Sequence, residues 1–138
     1  MKDSARGTTV MAVLMAVTAG AMILPAALGF TLREHESARA FLYSASLLGS
    51  IAGLIYLSRR NLKRKPGPLA HPFYILTASY LVIPLFMALP VTEAAPGGLP
   101  LFDAWFEMVA AFTTTVRTVL DPEIPPSLPV WRAMAAWL

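Results

Sequence analysis

Three consecutive threonines, Thr113-Thr114-Thr115, close an apolar stretch that begins near Phe102. Hydroxyls and backbone carbonyls are the oxygen donors that replace the hydration shell of a cation in a membrane pore. The stretch before them, Leu101 to Phe112, rises only about 18 Å as a helix, whereas a hydrocarbon core is about 30 Å thick. A half-length helix followed by a threonine loop predicts a re-entrant segment, entering the membrane and returning to the side it came from. Such a segment handles ions, not covalent chemistry.

Other residues capable of chemistry are few. Asp103 and Glu107 stand four apart, on one face of the half-helix, where two carboxylates could do proton chemistry. Near a helix start the same charges cap the helix or complement the positive end of its dipole. Glu107 has the further option of pairing with Arg117, which would neutralise a charge that is costly at membrane depth. His35 and His71 are solitary and are expected at membrane interfaces. The chain has no cysteine, so disulfides, thiolate metal sites and thiol nucleophiles are excluded. No catalytic triad, metal-ligand or phosphate-loop spacing is present, and neither enzymatic activity nor a cofactor is expected.

The elements that must position these residues are membrane helices. Of the 138 residues, 57% are hydrophobic and 14% charged, with a mean hydropathy of +0.61; soluble domains carry roughly 25% charged residues. Thr8 to Leu32 contains no charge and exceeds the roughly 7–15 apolar residues of a cleaved signal core, so it reads as a span. Pro25 predicts a kink within it. Ala40 to Ser58 and Pro72 to Val91 are two further uncharged runs of spanning length. In the second, Ala45, Gly49 and Gly53 recur every four positions, a stripe of small residues suited to close approach of another span or of a partner protein.

Charge placement sets the expected topology. Arg59, Arg60, Lys63, Arg64 and Lys65 cluster between the second and third runs, whereas Arg33, Glu34, His35, Glu36 and Arg39 mix both signs between the first and second. Short loops rich in Lys and Arg stay in the cytoplasm, which places the N-terminus, with Lys2 and Arg6, there as well. The cluster is suited to anionic lipid headgroups. No aromatic residue interleaves with it, so nucleic acid is not an expected partner. After the third run, Thr92 to Pro100 forms a turn-rich connector. Asp121 to Pro129 is proline-rich, and Trp131 with Arg132 predicts a short segment at the outer interface. The expected fold is thus all-α and integral to the membrane: three transmembrane helices, a re-entrant half-helix and a short interfacial C-terminal segment. Residues 1–66 form a two-helix hairpin with its basic loop, and residues 67–138 an incomplete span–pore–span repeat.

This order resembles the beginning of the Trk/Ktr/HKT superfamily of potassium transporters, in particular its bacterial TrkH branch. The resemblance is carried by Gly20-Ala-Met-Ile-Leu-Pro25, Ala88-Leu-Pro90, Asp103-Ala-Trp-Phe-Glu107, Phe112-Thr-Thr-Thr115 and the tail Pro126 to Leu138. It implies four span–pore–span repeats around one selectivity filter, dimeric pore subunits, a bacterial inner-membrane location and gating by a soluble nucleotide-binding ring protein. Two positions depart from the family pattern: Val116 occupies the place of the filter glycine, and Arg117 that of a small residue. A β-branched residue resists positive φ, and a guanidinium about 5 Å from a cation opposes it by roughly 3 kcal/mol at an effective dielectric of about 20.

Two functions follow. The first is a non-conducting accessory subunit derived from such a transporter, truncated within its first pore repeat and packed against a larger membrane complex. The second is a fragment or subunit of a working potassium uptake transporter, for which potassium would be the cargo. Val116, Arg117 and the end at Leu138 favour the first.

Overall fold

A computed structural model describes residues 3–61, 72–115, 118, 120 and 124–138. The chain forms α1 (Asp3–Ala21), α2 (Ile23–Thr31), α3 (His35–Asn61), α4 (Pro72–Ala94), α5 (Leu101–Phe112) and α6 (Ser127–Ala135). No strand occurs among the described residues. Three stretches are long and apolar enough to cross a membrane: Val10–Thr31, His35–Ser58 and Leu76–Ala94, with mean hydropathies of 2.1, 1.7 and 1.5. Their outward surfaces carry Leu24, Leu54, Leu57, Leu76 and Leu81, all exposed, which is the surface lipid tails require.

The first span breaks between α1 and α2 at Met22. Pro25 explains the break, since it has no N–H to donate to the Ala21 carbonyl one turn earlier. Pro84 and Pro90 leave α4 continuous, as buried prolines do in membrane helices whose neighbours cover the freed backbone.

The connection between the first two spans is far tighter than the mixed charges predicted. Helix α3 already begins at His35, so Glu36 and Arg39 ride on its first turns, and only Leu32, Arg33 and Glu34 remain between the helices. Arg33 adopts φ 63°; its N–H donates to Phe30 O at 3.3 Å, and that of Glu34 to Gly29 O at 2.7 Å. This is a Schellman closure with a non-glycine residue at its left-handed position. It reverses the chain so sharply that a Cβ on Gly29 would lie 3.1 Å from Ala38 Cβ and 3.2 Å from Ala38 N. Gly29 is therefore a close-approach glycine, and it lies outside the predicted stripe.

Helix α1 packs along α3, α2 against α3 and α6, and α4 against α3 and α5. Between them Met15, Met22, Phe41, Leu48, Met87, Met108, Leu128 and Trp131 form a continuous core. Within the stripe, Gly49 faces Ala19 of α1, and a Cβ on Gly49 would lie 3.9 Å from Ala19 Cβ. Ala45 packs at the edge of the core, and Gly53 has open space around it. The α4–α5 connector turns on Gly97 and Gly98, both at positive φ (78° and 75°), and Leu99 N–H donates back to Thr92 O at 3.1 Å.

Candidate functional site

Helix α5 covers the predicted Leu101–Phe112. Pro100 is its N-cap and contributes no side-chain bond, and Asp103 sits in the first turn, where the dipole favours a carboxylate. The helix folds back against α4. Trp105 Nε1 donates to Leu81 O at 3.2 Å, and the Phe112 ring meets Tyr80 edge-on at 5.3 Å. Both α4 partners lie in the first half of that helix, so α5 descends alongside it from the connector.

The threonines end α5 in a second Schellman closure. Thr113 N–H donates to Val109 O at 2.9 Å, Thr114 N–H to Ala111 O at 3.0 Å and Thr115 N–H to Ala110 O at 2.7 Å. Thr114 holds φ 57°, the left-handed position that glycine ordinarily fills. A β-branched residue there is strained. Thr113 Oγ1 donates to Val109 O at 2.8 Å and lies 3.2 Å from Thr115 Oγ1. Thr114 Oγ1 donates to Thr113 O at 2.7 Å. All three threonines are exposed, and Thr114 and Thr115, with Thr118, Ala111 and Arg132, line an open cavity of about 640 Å³ between α5 and α6. Hydroxyl oxygens with free lone pairs on a water-accessible cavity are suited to cations.

Glu107 is fully buried on α5, and its Oε1 lies 2.7 Å from Nε of Arg132, whose side chain is 26% exposed. Glu107 thus pairs with Arg132 of α6, while Arg117, the pairing expected from the sequence, lies outside the described residues. Sequence reasoning missed this pairing because no helical spacing relates the two residues. Trp131 of α6 does not point outward as an interface anchor does. Trp131 is 0% exposed; its indole donates to Met87 O at 3.1 Å and meets Phe41 edge-on at 5.7 Å. At the start of α6, Ser127 Oγ donates to Glu34 Oε2 at 3.0 Å and lies 2.6 Å from Ser37 Oγ. Tryptophan and serine alike tie α6 into the core.

The backbones of Arg59 and Arg60 continue α3. Val116, Arg117, Lys63, Arg64, Lys65, His71 and Lys2 lie outside the described residues. His35 is exposed beside Phe30, with ring centroids 6.2 Å apart.

The chain as a whole has a relative among known proteins. Over 133 residues, 94% of its length, it is 33% identical to the Trk system potassium uptake protein TrkI of Halomonas elongata. The chain spans 26% of that protein's length. No protein-family model matches the chain, and no solved structure matches it.

Proposed function

We propose that this chain is the opening portion of a Trk-type potassium uptake transporter of the bacterial inner membrane. In this reading α1 to α3 are its scaffold hairpin, and α4, α5 and α6 belong to its first pore repeat. Helix α5 is the re-entrant half-helix, and Thr113, Thr114 and Thr115 contribute oxygens to the ion path. The carrying observation is the exposed threonine closure at the end of a half-length helix folded back on a span, in a chain similar to TrkI over 94% of its residues. The N-terminus and the Arg59–Lys65 region face the cytoplasm, residues 1–66 supply the hairpin and residues 67–138 the pore repeat that shares one core with it, and further pore repeats and a nucleotide-binding ring protein are the partners.

The accessory-subunit reading drew its weight from Val116, Arg117 and Leu138. The first two lie outside the described residues, and a chain spanning 26% of a relative draws no meaning from where it stops. The transporter reading fits at least as well, and we adopt it. Its test is the assembly purified from the native membrane and reconstituted in liposomes. Potassium-driven uptake of rubidium tracer, reduced about 10-fold or more by Thr115→Val, which keeps the shape and deletes the hydroxyl oxygen, is the expected result. An assembly that carries no alkali cation would reject the reading.

A further inference from the structure

Helix α5 is held on opposite faces. Trp105 and Phe112, seven residues apart and so on one face, bind it to α4 through Leu81 O and the Tyr80 ring. Glu107, about 200° around the helix from Trp105 at 100° per residue, binds it to α6 through Arg132. Glu107 and Ala111 are four apart and so lie in one row of the helix, and Thr114 follows in the closure just beyond it. The last two line the cavity that Arg132 also lines. The carboxylate therefore sits directly behind the threonine closure, on the side of the helix that faces the cavity.

Helix α6 can serve as a fixed reference for this contact. Trp131, next to Arg132, is locked between Met87 O and Phe41, and Ser127 is tied to Glu34 and Ser37. A rigid α6 presenting a guanidinium to a buried carboxylate fixes the rotation of α5 about its α4 contacts. Without that second attachment the helix can roll, and Thr114 and Thr115 roll with it.

Resting on the transporter reading above, we propose that Arg132 is a positioning residue for the ion path: through Glu107 it sets where the Thr113–Thr115 oxygens stand, and thereby the discrimination between potassium and sodium. The Glu107 carboxylate, 2.7 Å away, offsets the charge of Arg132 and so weakens its repulsion of a passing cation. Lysine, a point charge on a flexible stem, does not reproduce the planar, delocalised charge that arginine holds 2.7 Å from Glu107 Oε1.

The test uses the native assembly with Arg132→Lys, Glu107→Gln and the exchanged pair Glu107→Arg with Arg132→Glu, in two measurements. The first is the ratio of potassium to sodium uptake in liposomes at matched protein. It is expected to fall about 10-fold or more in Arg132→Lys, since a misplacement of about 1 Å can cost up to about 100-fold, and to recover in part in the exchanged pair. The second is the distance between spin labels on cysteines placed at Thr118 and Ala136, expected to shift or broaden in both single variants. A purely structural role would lower the amount of assembly and leave ratio and distance unchanged, which would overturn the proposal. A changed distance in an assembly that moves no alkali cation would reject the transporter reading and, with it, the selectivity role of Arg132.

Discussion

Two helices of this chain, α2 and α5, end in the same backbone closure, and the closures are used differently. Each has a non-glycine residue in the left-handed position, Arg33 at φ 63° and Thr114 at φ 57°. In each the following N–H reaches five residues back, Glu34 to Gly29 O and Thr115 to Ala110 O, both at 2.7 Å. After α2 the chain enters α3 at once, Gly29 presses on Ala38 and Glu34 accepts a hydrogen bond from Ser127. Packing over-determines that turn. After α5 nothing comparable covers the turn among the described residues, and its hydroxyls line a cavity. Strain that persists at an exposed turn, in a residue type poorly suited to it, is the kind found at functional sites.

Helix α6 touches both closures, Ser127 at the first and Arg132 behind the second. The largest expected effect comes from cutting the second link. Arg132→Leu removes the charge that lies 2.7 Å from the buried Glu107 carboxylate, which costs up to about 3–5 kcal/mol for a pair broken on one side. The thermal midpoint of the purified protein in detergent should drop accordingly. An unchanged midpoint would mean that α5 needs no support from α6, and the contrast between a packed and a propped turn would dissolve.

Much of this architecture was legible because a bilayer imposes length and charge rules that act residue by residue. Uncharged runs located the three spans, Pro25 predicted the break at Met22, and the Pro96–Pro100 connector with its following apolar stretch delimited α5 as Leu101–Phe112. Features that depend on a distant partner were not legible. Trp131 beside Arg132 has the composition of an interface anchor, yet its N–H finds the second lone pair of a helix carbonyl at Met87. Glu107 had a plausible partner close in sequence, and only the packing of α6 against α5 brings Arg132 to it. The small-residue stripe drew attention to Gly49, while the tightest glycine contact is Gly29 on Ala38. No spacing marked the latter: a Schellman closure takes only a backbone carbonyl from that position and favours glycine at the left-handed one, which here is Arg33, so the need for glycine at 29 comes from the close approach of Ala38.

Breaking the first closure directly is expected to have the next largest effect. Gly29→Val adds three carbons where one already meets Ala38 at 3.1 Å from Cβ and 3.3 Å from Cα, and overpacking of this kind costs about 1–3 kcal/mol. Gly53→Ala, with nothing within 4 Å of its Cβ, is the control and should be neutral or slightly stabilising, because alanine is the better helix former. Unfolding midpoints of the two variants in one detergent check the pair. Equal midpoints would show that the α2–α3 turn is looser than its packing implies.

The smallest effect on stability separates the closures most cleanly. Replacing either left-handed residue by glycine removes a conformational penalty of roughly 1–2 kcal/mol, and the extra freedom of glycine in the unfolded chain takes back about 0.4–1 kcal/mol. Arg33→Gly and Thr114→Gly should therefore each stabilise by about 1 kcal/mol or less, Thr114→Gly by slightly more because its β-branched side chain fits φ 57° worse. Their effects on transport should diverge. Arg33 belongs to a turn whose work is to reverse the chain, so Arg33→Gly should leave potassium uptake by the native assembly unchanged. Thr114 carries one of three hydroxyls on the open cavity, so Thr114→Gly should alter uptake or its selectivity while the protein becomes no less stable. Strain kept at Thr114 is then explained by the oxygen it presents. Equal transport in the two variants would make the second closure a helix cap like the first, and the ion path would have to be sought elsewhere in the molecule.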